Sequence, residues 1–119
     1  MSYVDGFVLP IPKKNIKAYT AMATKAGKIW REHGALEYFE CVGDDLDVKF
    51  GLPFPKGFKI KPGETVVFAW IVYKSKAHRD KVNVKVMKDP RLTADMKDKP
   101  MPFDMKRMCY GGFKVLVEA

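Results

Sequence analysis

From Val66 to Tyr73 the chain reads Val-Val-Phe-Ala-Trp-Ile-Val-Tyr, eight apolar or aromatic residues with no polar break. Lys61-Pro62-Gly63 precedes this stretch and Lys74-Ser75-Lys76 follows it. So many β-branched and aromatic side chains between turn signals predict a strand, Glu64 to Tyr73. A strand with one face on a core and the other in water alternates apolar with polar residues. This one does not, so both of its faces require cover.

The rest of the chain supplies that cover. Tyr3 to Ile11 predicts a first strand, also apolar on both faces apart from Asp5, and ended by Pro10 and Pro12. From Lys13 to His33, the residues Ile16, Tyr19, Met22, Ala23, Ala26, Ile29, Trp30 and His33 recur at intervals of three and four. That spacing is the stripe of an amphipathic helix, with Gly34 as its stop. His33, at the helix C-terminus, suits the negative end of the helix dipole. Ala35 to Gly43 predicts a second strand, softened by Glu37 and Glu40 as befits a sheet edge. Asp44 to Gly63 holds three Pro, three Gly and three Phe and is expected to be a long connection, with a short extended arm near Phe58 to Ile60.

After the apolar strand, Ser75 is placed to cap a second helix from Lys76 to Lys88, stopped by Asp89-Pro90. Val82, Val84, Val86 and Met87 span its expected buried arc, with Arg79 and Asn83 inside that arc and His78 at its border. Polar side chains on a buried face need partners. Pro90 to Pro102 is expected to be a linker with room for one helical turn. A last strand, Lys106 to Val117, carries Gly111-Gly112 for a bulge or a close backbone approach.

The predicted order is strand, helix, strand, strand, helix, strand. The fold class is α+β: a ferredoxin-like βαββαβ chain with a four-stranded antiparallel sheet and both helices on one face. Strands one and three, the most apolar, are central in that plan. The helices cover only one face of the sheet, and the least costly cover for the other is a second copy of it. Two subunits back to back would form a dimeric α/β barrel.

At 119 residues, a single domain over 1–119 is expected, with enough chain for a core. No apolar run approaches the length of a membrane span, and Met1-Ser-Tyr-Val-Asp-Gly lacks the pattern of a secretion signal. A cytoplasmic protein is expected, with Cys41 and Cys109 as buried reduced thiols. The net charge of +8 comes from scattered lysines with no long run. Asp44, Asp45 and Asp47 lack the ligand order of a Ca²⁺ loop, and zinc spacing, a phosphate-binding Gly-rich loop and a nucleophile elbow are all missing. No metal is expected.

Four stretches are specific enough to carry a family resemblance. They are Tyr3-Val-Asp-Gly-Phe-Val; Gly63-Glu-Thr-Val-Val-Phe-Ala-Trp-Ile-Val-Tyr; Arg79-Asp80 with Asn83 and Val86-Met87; and the ending Met101-Pro-Phe-Asp-Met-Lys-Arg-Met-Cys-Tyr-Gly-Gly-Phe. Through them the chain resembles the YbaA-like proteins, a bacterial family of unknown function, over nearly its whole length. The resemblance implies a dimeric α/β barrel and supplies no reaction. Barrels of that superfamily include cofactor-free oxygenases, haem-degrading enzymes and isomerases, with ligands held between sheet and helices. The haem-degrading site wants an Asn on the first strand, where this chain offers Asp5, so no cofactor is expected.

The side chains able to point into such a space are Arg79, Asn83, Trp70, Tyr19, Asp5 and Asp104, a mix of aromatic walls and polar handles. Arg79 also suits an ion pair with Asp104 or Asp5, and the aromatics also suit a core. The function expected is a homodimer that binds or transforms a small apolar or aromatic molecule there, with enzymatic activity left open. A non-enzymatic interaction dimer is the alternative. RNA binding, through Phe50, Phe54 and Phe58 among lysines, is the weakest reading, because the face that would stack bases is the expected dimer face.

Overall fold

In a computed structural model that describes residues 2–98 and 100–119, the chain is a mixed α+β protein built on one four-stranded antiparallel sheet. The strands are β1 (Tyr3–Pro12), β2 (Glu37–Val42), β3 (Glu64–Tyr73) and β4 (Cys109–Lys114), in the spatial order β2-β3-β1-β4. The two most apolar strands are therefore the central ones. They pair over ten residues, from Tyr3 opposite Tyr73 to Pro12 opposite Glu64.

Strand β1 runs through both prolines that were expected to end it. The pairing explains why. β4 borders β1 only as far as Val8, opposite Cys109. Beyond Val8, one side of β1 is a free edge, where a residue without an N–H forfeits no ladder bond.

Helices α1 (Ile16–Glu32) and α3 (Lys76–Met87) follow β1 and β3, with α1 entered through a 3-10 turn at Lys13–Asn15. The expected N-cap holds: Ser75 Oγ accepts from the His78 N–H at 3.1 Å. Gly34, at φ +116°, turns the chain out of α1. α3 buries a narrower stripe than its sequence suggests. Val82 and Val86 are inside, whereas Val84 and Met87 are exposed.

Two further helices replace expected irregular segments. α2 (Phe54–Gly57) forms within the expected long connection, the expected extended arm at Phe58 to Ile60 is no strand, and α4 (Pro90–Asp98) forms where a linker was expected. Asp89-Pro90, read as a stop, is also a start. Proline fits the first turn of a helix, and Asp89 Oδ1 accepts from the Arg91 N–H at 2.9 Å. The last strand is shorter than expected, ending at Lys114. Gly111 and Gly112 pair with Gly6 and Asp5 in β1, and a Cβ on Gly112 would collide with the Tyr3 ring. That close approach accounts for the glycine.

The core lies between the sheet and the helices in two clusters. Leu9, Ile11, Tyr19, Ala23, Val67 and Phe103 form one; Ile29, Ala35, Ile71, Tyr73, Val82 and Val86 form the other. Register assigns Val67, Ala69, Ile71 and Tyr73 of β3 to this helix side, and Phe68, Trp70 and Val72 to the opposite face. Both cysteines, expected to be buried, are exposed. No helix among the described residues is long and apolar enough to cross a membrane.

A charged cluster pins α1 to the α3–α4 junction. Asp89 meets His33 Nε2 at 2.8 Å and Arg91 at 2.8 Å, and Arg91 reaches Glu32 at 2.6 Å. His33 is thus committed to a carboxylate, where it was expected to face the helix dipole. Hydrogen bonds from Arg91 and then His33 hold the Asp89 carboxyl well below the ordinary 3.8. A depressed carboxyl contributes stability above its unfolded value and loses it on acidification. Asp89→Asn should therefore lower the melting temperature at neutral pH, and the gap to wild type should close as pH falls below 3.8. Calorimetric melts across that range test it.

Candidate functional site

Two polar constellations lie on the helix side of the sheet. The first joins β1, β3, α1 and α3. Asp5, only 4% exposed, receives Arg79 Nη1 at 2.7 Å. Arg79 also donates from Nε to Asp80 at 2.9 Å and lies over the Tyr3 ring, 4.9 Å from its centroid. Beside them Trp30 Nε1 donates to the Tyr73 hydroxyl at 3.1 Å, and Tyr73 reaches Asn83 Oδ1 at 3.5 Å. Burial pushes the Asp5 carboxyl up, while the Arg79 charge and the Tyr73 and Asn83 side chains oppose that rise. Every buried side-chain N or O among the described residues has a partner. This constellation is a closed network tying α3 to the central strand, with Arg79 occupied by protein groups.

The second constellation lines a groove between α1 and β2, a cavity of about 660 Å³. Tyr19 from α1 and Tyr38 from β2 each donate a phenol hydrogen to Glu40, one to each carboxylate oxygen, both at 2.7 Å. Tyr19 is further wedged edge-on against Phe103. Burial and then the Glu40 charge raise both phenols far above the ordinary tyrosine value, so both stay protonated donors. The floor is apolar, with Ala23, Gly27 and Val67, and Lys28 and Arg31 stand on the rim. Gly27 sits mid-helix, where glycine costs roughly 1 kcal/mol relative to alanine. A Cβ there would lie 2.8 Å from the Tyr38 ring, so the glycine lets Tyr38 lie against α1.

Of the six residues singled out from sequence, the structure brings Asp5, Arg79 and Asn83 together. Tyr19 belongs to the groove. Trp70 lies on the opposite face of the sheet, stacked on Phe39 with centroids 5.1 Å apart. Asp104 caps the 3-10 turn Met105–Arg107 by accepting from the Lys106 N–H. Its neighbour Phe103 packs with Leu9 and Ile11, toward the other end of β1 from Asp5. Glu40 was read as a feature of an edge strand, and Tyr38 was given no role. The signal was present: residues 38 and 40 alternate with 39 and 41, which sends both to the face that receives the Tyr19 stripe.

Arg107, near the start of β4, forks onto Glu64 with bonds of 2.7 and 2.9 Å and also donates to the Lys59 carbonyl at 3.3 Å. Among the described residues, no group of three or more His, Cys, Asp or Glu is placed to hold a metal ion.

An antiparallel sheet helix-covered on one face, with a tyrosine–carboxylate groove beneath α1, defines the class. Within it, the chain belongs to the family described as "Protein of unknown function (DUF1428)", which matches residues 2–105. It is 44% identical over 118 residues to the "Uncharacterized protein YbaA" of Escherichia coli strain K12, covering 99% of both chains. The protein of that name from Shigella flexneri matches to the same extent. Among solved structures the chain resembles a "De novo designed protein Foldit4", with TM-score 0.50 and 7% identity over 97% of this chain and 99% of that one. A likeness at that identity concerns the fold alone.

The closed network makes a quantitative forecast. Removing one member of a buried pair leaves the other charge uncompensated, at a cost of about 3 kcal/mol. Arg79→Met should lose about that much in urea unfolding, and Asp5→Asn/Arg79→Met should lose less than Arg79→Met alone.

Proposed function

We propose that the chain is a single ferredoxin-like domain that pairs with a second copy through its open sheet face, as a dimeric α/β barrel. Each subunit would hold a small aromatic or apolar molecule in the groove between α1 and β2. The observation that carries this reading is the Tyr19–Glu40–Tyr38 constellation in a cavity of about 660 Å³. That volume falls in the range of small-molecule sites, roughly 300–1,000 Å³. A carboxylate has about four acceptor positions, and the two phenols take two of them. The free positions suit a ligand N–H or O–H, so aromatic amines and phenols are the matching class. The apolar floor takes the ring. Two free thiols agree with a reducing, cytoplasmic setting.

A second reading, an interaction dimer, draws on the 44–63 connection, where Phe50 is 95% and Leu52 74% exposed. RNA stacking draws less support. Phe54 is stacked on Phe58 and packs edge-on against Phe68, which leaves Phe50 as the open ring of the three.

A panel of small aromatic amines and phenols should raise the melting temperature and shift the amide resonances of residues 19, 38 and 40. Thr24→Phe, at an exposed position on the groove wall, should abolish both effects. Glu40→Gln should weaken binding about tenfold, the size of a lost charge-assisted hydrogen bond. If no member of the panel moves either readout, the ligand reading is wrong.

A further inference from the structure

The groove between α1 and β2 is polarised along its length, and the polarity narrows the ligand that fits it. In the middle, the phenol and hydroxyl hydrogens are already spent. Tyr19 and Tyr38 both donate to Glu40 at 2.7 Å. On the α1 wall, Thr24 Oγ1 donates to the Thr20 carbonyl and Thr20 Oγ1 to the Ile16 carbonyl, each at 2.7 Å. A hydroxyl carries one hydrogen, so both threonines turn only lone pairs toward the groove. Glu40, as a carboxylate, has only acceptor positions left to offer. This part of the groove therefore calls for a donor on the ligand.

The end toward the C-terminus of α1 is the reverse. Lys28, Arg31 and Glu32 line it. Glu32 is taken by Arg91 at 2.6 Å, which offsets its charge. Among the described residues, neither Lys28 nor Arg31 has a carboxylate partner. Two uncommitted cations thus close one end of a groove whose middle is an acceptor. Their spacing from Glu40 follows from the helix. Glu40 is gripped by Tyr19 on one side and, on the other, by Tyr38, whose ring lies at Gly27, so it sits between those turns of α1. Ala23 is midway between them, and at about 1.5 Å of rise per residue Lys28 and Arg31 stand roughly 8 and 12 Å further along the axis. Long helical side chains lean back toward the N-terminus, which brings both cationic heads over the groove. A single ring with a short arm spans such a distance, above the apolar floor of Ala23, Gly27 and Val67.

We propose that the groove takes an aromatic acid: a ring whose hydroxyl or amino group donates to Glu40, and whose carboxylate, on a short arm, lies between Lys28 and Arg31. This rests on the ligand reading above and adds the anion and the direction in which the molecule lies. A carboxylate in that place gains charge-assisted hydrogen bonds that a neutral arm lacks. Because the cations are exposed, the gain is moderate and falls with salt.

Matched pairs of ligands test it. Para-hydroxybenzoate, para-hydroxyphenylacetate and para-hydroxyphenylpropionate are each titrated calorimetrically beside their neutral primary amides. The acid whose arm fits best should bind about fivefold more tightly than its amide, the size of two exposed ion pairs. Raising the salt should shrink that ratio. Lys28→Gln/Arg31→Gln should abolish it, and since both side chains are exposed the exchange leaves the core packing untouched. The side-chain resonances of Lys28 and Arg31 should shift with the acid and not with the amide. Equal binding of acid and amide by the wild type overturns the anion end and leaves the groove reading standing. A preference for the acid that survives high salt or the double variant overturns it in the same way. If neither the acids nor the amides bind, the groove reading itself fails.

Discussion

The ten-residue pairing of β1 with β3 is the constraint on which the rest of the molecule depends. Both core clusters and the buried Asp5 network draw on these two strands. Asp5 comes from β1 and Tyr73 from β3, and the α3 network closes across both. Val67 of β3 forms part of the groove floor. The flanking strands pair over only six residues each and carry fewer buried side chains. A long central pair with short flanks puts the rigid scaffold in the middle and leaves the edges for contacts.

Polar groups are distributed in two ways along this scaffold. Around Asp5 they are mutually satisfied, and a satisfied buried network serves specificity of packing more than chemistry. Around Glu40 they are satisfied on one side and face a groove on the other. This difference, more than residue type, separates a structural arginine from a receptive carboxylate. Arg79 looked the better ligand contact by its place on the helix wheel, yet its guanidinium is taken up by Asp5, Asp80 and Tyr3.

What the sequence disclosed follows from how periodic each signal is. β1, β3 and α1 were legible because their apolar spacing is long and regular. The face that Trp70 occupies was not. In β3 both alternating sets are apolar, Val67-Ala69-Ile71-Tyr73 as much as Val66-Phe68-Trp70-Val72, so period two cannot say which set meets the helices. α4 was missed because Asp-Pro marks the end of one helix and the start of another with the same residues. The exposed cysteines were misjudged because apolar strands suggest burial, whereas Cys41 and Cys109 lie on edge strands and on the bare face. The groove was hidden for a different reason: its three polar residues come from two elements, and no local spacing links position 19 to positions 38 and 40.

The Arg107 fork has a mechanical side. One guanidinium grips Glu64, where β3 begins, and the Lys59 carbonyl, on the stretch leading into it. Arg107 itself lies two residues before β4. The root of the 44–63 loop is thereby bolted to both a central strand and an edge strand. The exposed Phe50–Leu52 tip therefore stands on a base whose exit is fixed by a bidentate ion pair two residues before β4.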